Sequence, residues 1–87
     1  MSDDHTNSHR LLRLRVSAEA DPGLIARLLG CFQNLNVVPH RIVAEFATTE
    51  LMHIHVDVSG LSERRLTLIA AKVDQWVPVT HAHWHWL

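Results

Sequence analysis

Asp21-Pro22-Gly23-Leu24-Ile25, placed directly after the alternating residues 11–18, is the stretch from which the fold of this chain can be read. It spells a strand, a tight turn and a helix that opens with a cap and a proline. The Asp21 carboxylate suits an N-cap, because it can accept the free N–H groups of a first helical turn. Pro22 then takes the first helical position, where its missing N–H costs nothing. Gly23 leaves the helix mouth without a side chain, so a small ligand or a neighbouring chain has room to approach the backbone. Many structural corners share this pattern, so the turn alone does not choose between a ligand site and a simple bend.

Working outward, residues 11–18 form a first strand in which Leu12, Leu14 and Val16 face a core and Arg13 and Arg15 face away. A first helix over residues 22–35 carries the apolar stripe Leu24, Leu28, Phe32 and Leu35, widened by Ile25 and Leu29. Asn36 is placed to close it in the left-handed conformation. A second strand over 37–47 alternates Ile42, Ala44 and Phe46 on a core side with Arg41, Val43 and Glu45 on the other. Pro39 marks its start or an edge. Thr48-Thr49 is a short connection into a third strand over 50–58, which pairs back as a hairpin. There Met52, Ile54, Val56 and Val58 point one way, and His53, His55 and Asp57 the other. Ser59-Gly60 breaks the pattern. Ser62 then caps a second helix, with Leu61 and Leu66 spaced as a hydrophobic staple and Ile69, Ala70 and Val73 continuing its stripe. Alternation returns over 77–86, a fourth strand.

The order β-α-β-β-α-β, with right-handed crossovers, yields an α+β, ferredoxin-like fold: a four-stranded antiparallel sheet with two helices on one face. Strand one lies between strands three and four, and strand two is an edge. Residues 1–8 read as a disordered polar tail, and residues 9–87 as a single domain.

Composition narrows the function. A chain of 87 residues buries only about 60–65% of its unfolded surface, and so gains from oligomerising. A homodimer or a partner subunit is therefore expected. The net charge is −1 and Lys72 is the sole lysine, so there is no basic run to hold nucleic acid. No apolar run is long enough to span a membrane. The polar first residues lack a signal-peptide core. Cys31 is the only cysteine, which excludes an internal disulfide and fits a reducing, cytoplasmic setting. Set among apolar neighbours of the first helix, its thiol has nothing nearby in sequence to activate it. Asp57 and Asp74 do not make a carboxylate pair for acid–base work, and no nucleophile turn or phosphate-cradling loop is present. The chain reads as non-catalytic, with no cofactor of its own.

The histidines are the compositional oddity. His53 and His55 stand two apart on the third strand, and His81, His83 and His85 repeat that spacing on the fourth. Residues two apart on a strand share a face, about 6.6 Å apart. They populate the open or interface side of the sheet, or with Asp57 they gather a metal. Arg13 and Arg15 fall between the two histidine sets in the expected strand order, which disfavours a cation. Trp76, Trp84 and Trp86 crowd the C-terminal end, as core or as a partner contact.

Three blocks carry a family resemblance: residues 21–32, Ile54-His55-Val56-Asp57-Val58, and Val73-Asp74-Gln75-Trp76-Val77-Pro78-Val79. They resemble an ACT domain, and most closely the short small regulatory subunits of acetolactate synthase, an enzyme of branched-chain amino-acid synthesis. Such subunits carry Asn-Glu-Pro-Gly-Val-Leu-Ser-Arg at the first block and end in Lys-Leu-Val-Asp-Val. The resemblance implies a ligand corner at Ala20, Asp21, Pro22, Gly23, Leu24 and Val38 and a thiamine-dependent catalytic subunit as partner, while the small core and the edge strand, with Arg41, Val43 and Glu45 on its non-core face, imply a homodimer through that edge. Valine-regulated members have an asparagine at each of the two positions that are Ala20 and Val38 here. The charged ends of an amino acid need partners when desolvated. The N–H groups of Gly23 and Leu24 offer one to the carboxylate, and Asp21 offers one to the ammonium. Weak or absent valine binding is expected. The alternatives are a free-standing dimer that senses a small metabolite, or a His-rich metal-binding module on His53, His55 and Asp57.

Overall fold

A computed structural model describes residues 10–87, so the tail expected over 1–8 lies outside the described residues. The elements run β1 (Leu12–Glu19), α1 (Leu24–Gln33), β2 (Arg41–Phe46), β3 (Leu51–Val58), α2 (Glu63–Asp74) and β4 (Val79–Trp86). The sheet order is β2-β3-β1-β4, with every neighbouring pair antiparallel. This is the ferredoxin-like order that the element pattern predicts.

The core lies between the sheet and the two helices. Leu12, Leu14 and Val16 of β1 and Ile54, Val56 and Val58 of β3 are all but fully buried against Leu24, Leu28 and Phe32 of α1 and Leu66 and Val73 of α2. Trp76 joins this core directly, while Trp84 and Trp86 pack on its margin, edge to face at 5.8 Å. The Trp84 indole N–H donates to Thr67 Oγ1 of α2 at 2.9 Å, so its polar tip is satisfied beside the helix.

The helix ends show how local chemistry sets boundaries. α2 is capped by Ser62, whose hydroxyl accepts the Arg65 N–H at 3.2 Å, and Leu61 and Leu66 are both buried as the staple requires. Gly60, at φ +81°, makes the turn before it. α1 closes through Asn36 at φ +58°. The Val37 N–H reaches Phe32 C=O at 3.0 Å and the Asn36 N–H reaches Gln33 C=O at 2.9 Å, which is a Schellman closure. The start of α1 departs from expectation. Gly23 holds the cap position and the helix begins at Leu24, because Asp21 closes a turn of its own ahead of it.

β2 departs as well. It is shorter than residues 37–47, and its helix-side residues are not core. Ile42 is 40% exposed and Phe46 64%. The reason is lateral reach: helix-side burial extends from β4 across β1 to β3 and stops there, leaving the edge strand bare.

Candidate functional site

The helix mouth is closed by the chain itself. Asp21 Oδ1 accepts the Gly23 N–H at 2.8 Å, and the Asp21 carbonyl accepts the Leu24 N–H at 3.1 Å. These are the two backbone donors a ligand carboxylate would need. Gly23 has φ −90°, which any residue adopts, and a Cβ there would meet Asp21 Oδ1 at an ordinary 3.5 Å. Pro22 is exposed and Leu24 is turned into the core. Ala20 lines an open groove of about 660 Å³ with Glu19, Thr49, Glu50 and Thr80, where the β2–β3 hairpin meets the end of β1. Its N–H is held by Glu50 C=O at 2.8 Å. Val38 stands in the α1–β2 connection, 83% exposed. Both anchor positions therefore present only methyl groups.

The open face of the sheet is chemically richer. Strand register lays its side chains in rows. One row reads Arg41, Asp57, Arg13, His85 across β2, β3, β1 and β4; the next reads Val43, His55, Arg15, His83; the third reads Glu45, His53, Ser17, His81. Arg13 and Arg15 thus sit between the two histidine sets, as the strand order predicts. Facing residues across antiparallel strands lie about 5 Å apart.

Asp57 is the only buried charged residue among the described residues, at 4% exposure. Arg13 grips it with two parallel bonds, Nε to Oδ1 at 2.7 Å and Nη2 to Oδ2 at 2.9 Å. That bond to Arg13 holds the Asp57 carboxyl below the usual carboxylate range. His53 Nδ1 meets Ser17 Oγ at 3.1 Å. His81 and His83 rings stand 4.8 Å apart, and His85 Nδ1 is 3.0 Å from the Trp86 carbonyl oxygen. His55 is pushed below the ordinary imidazole range, first by desolvation and then by Arg15 and Arg13. His83 is lowered by desolvation, His81, Arg15 and His85 in turn.

A metal centre on His53, His55 and Asp57 is not what the face assembles. Asp57 spends both oxygens on Arg13, and among the described residues no three His, Cys, Asp or Glu side chains gather as a metal would need. Asp74 lies apart, on the α2 side of β4, accepting the Ala82 N–H at 2.9 Å with His81 3.8 Å away. Cys31 is buried in α1. The Arg13–Asp57 fork went unread in the sequence. Its signal was available, since both residues fall on the non-core side of neighbouring strands, but register decides which of Arg13 and Arg15 faces the acid.

The edge residues Arg41, Val43 and Glu45 lie on this same open face, at its β2 border. Among the described residues no helix is long and apolar enough to cross a membrane.

The profile of the ACT-like domain family matches residues 4–87. Solved structures agree in fold. The C-terminal domain of the MgtC protein from Mycobacterium tuberculosis superposes with a TM-score of 0.78 at 13% identity, covering 92% of this chain and 89% of that one. The ACT domain from the GTP pyrophosphokinase of Chlorobium tepidum gives 0.70 at 16% identity, covering 86% and 96%. A homoserine dehydrogenase from Thiobacillus denitrificans gives 0.72 at 18% identity, covering 93% of this chain but 18% of that larger one. A comparison with curated protein sequences returned no significant match.

Proposed function

This chain belongs to the ACT-like domain family, and on that premise we propose that it is a non-catalytic regulatory domain that pairs with a second copy of itself and adjusts a separate enzyme. The observation that carries this reading is the bare apolar side of edge strand β2, where Ile42 and Phe46 stand uncovered beside unpaired backbone groups. Such an edge invites another strand. Antiparallel pairing of two β2 strands centred on Val43 sets Arg41 of one copy opposite Glu45 of the other, a favourable cross-strand pair. The same pairing brings Ile42 opposite Ala44, and the partner's mass covers Phe46.

The three sequence blocks carry the reading further, to the small regulatory subunit of acetolactate synthase, with the thiamine-dependent catalytic subunit as its partner. Valine regulation at the helix mouth is weak or absent in this reading, since Ala20 and Val38 offer no polar anchor and Asp21 occupies the mouth.

Sedimentation of the purified chain at micromolar concentration tests the pairing: a dimer is expected, and a monomer at every concentration overturns it. Co-purification from the native cell tests the partner. Recovery of a thiamine-dependent synthase supports the finer assignment, and recovery of a different enzyme overturns that assignment alone.

A further inference from the structure

Arg15 sits at the centre of the open sheet face with a neighbour of the same chemistry on each side: His55 across from it on β3 and His83 across from it on β4. The two arginines of β1 are not equivalent. Arg13 is matched to the one buried carboxylate of the face, while Arg15 has no carboxylate within ion-pair distance among the described residues. Around Arg15 the face dips into a depression of about 250 Å³, lined also by Ser17, Glu45 and His53. A guanidinium presents a planar fork of donors suited to two oxygens at once, and a neutral imidazole adds an N–H.

We propose that this depression is a binding site for a small tetrahedral oxyanion, either inorganic phosphate or the phosphoryl group of a small metabolite, with Arg15 as the anchor and His55 and His83 as flanking donors. The ligand's oxygens supply the counter-charge that Asp57 gives Arg13 in the next row. Ser17 and His53, joined at 3.1 Å, border the site with further polar hydrogens. Glu45 on the β2 rim is the one unfavourable charge in the lining.

The site is acid-tightened. Near neutral pH His55 and His83 are uncharged, because desolvation and Arg15 both oppose their protonation. A bound dianion reverses that field and draws protons onto both rings. The other groups of the face act in known directions. Arg41, and His81 and His85 when charged, add positive potential, Arg13 and Asp57 offset each other as an ion pair, and Glu45 subtracts. Edge pairing is read by sedimentation and this site by anion titration, so either can fail alone.

Calorimetry of the full chain at low ionic strength, with sodium sulfate as probe, tests the site. Sulfate stays a dianion from pH 7.5 to 5.5, so any pH dependence comes from the protein. Saturable binding is expected, tightening by about tenfold over that range as the two imidazoles charge, lost in a folded Arg15→Gln variant and strengthened in Glu45→Gln. Repeating the titration with inorganic phosphate and with glycerol phosphate separates the two sources by which binds tighter. Heat that never saturates, affinity independent of pH, or an Arg15→Gln variant that binds as well as the parent overturns the proposal.

Discussion

Arg13 and Asp57 meet as a two-pronged fork on the open face of the sheet, joining neighbouring strands β1 and β3 at 2.7 and 2.9 Å. The acid is buried and takes both of the fork's bonds, so the two residues form a single unit. Removing one partner strands the other's charge, whereas removing both leaves a surface that can repack. Arg13→Met should therefore lower the melting temperature more than the double variant Arg13→Met, Asp57→Leu. Calorimetric melts at pH 7 check the order, and equal losses in the single and double variants would show that the fork does not act as a unit.

The same face makes stability depend on pH in two separate windows. His55 and His83 titrate below 6.5 in the fold, so between 6.5 and their folded values the unfolded chain holds more protons. Stability then falls as pH drops through that window. Asp57 sits below 3.8 in the fold, so its contribution is intact above 3.8 and is lost as pH falls further through its folded value. Melts should show an early shallow decline below pH 6.5 and a later one below 3.8. His55→Asn, His83→Asn should flatten the first and leave the second in place apart from a small upward shift, since Arg13 is the main cause of the Asp57 depression and His55 the least.

The absent anchors predict the effector response. Calorimetry at millimolar valine should show no saturable heat. Gly23→Ala should leave the fold unharmed or stabilise it by about 0.4–1 kcal/mol, since its φ is already accessible to alanine. A sub-millimolar valine constant in the parent chain would mean that the Asp21 turn opens for ligand.

Pairing through β2 depends on its uncovered side. Phe46→Glu places a charge where the second copy must pack, and should shift the dimer to monomer in sedimentation at micromolar protein while leaving the melting temperature of the monomer unchanged. A variant that stays fully dimeric would place the interface elsewhere.

The histidine rows should ignore zinc. Added zinc is expected to leave the melting temperature at neutral pH unchanged, because the oxygens of Asp57 are committed to Arg13. A rise that vanishes in His53→Ala, His55→Ala would show the open face rearranging around metal.

Much of this fold was legible because short-range rules and long-range packing agree. Ser62, Leu61 and Leu66 announce α2, Asn36 announces the end of α1, and the alternation in β1 separates Leu12, Leu14 and Val16 from the arginines. The misreadings share a cause. Asp21 has the residue type of a cap and its carboxylate does accept the Gly23 N–H, yet the cap position falls at Gly23 because a turn closed by the Asp21 carbonyl precedes the helix. Alternation assigns Ile42 and Phe46 to the core side, but it says only which side a residue faces and not whether a helix reaches that far. Along the site, the histidine spacing can be seen and the pairing of Asp57 with Arg13 rather than Arg15 cannot, because a two-residue change of register keeps every side chain on its own face and exchanges the two arginines.

The central place of β1 governs how the molecule must assemble. It is the first strand among the described residues, and both its partners, β3 and β4, lie well downstream. Its sheet partners within the described residues come later in the chain, first the β2–β3 hairpin and then residues 79–86, which complete the sheet. A topology that adds distant strand pairings to local helical contacts folds more slowly than a helical bundle of the same size. The two helices and the β2–β3 hairpin are the local pieces that can form early, and β1 takes its place between the hairpin and β4.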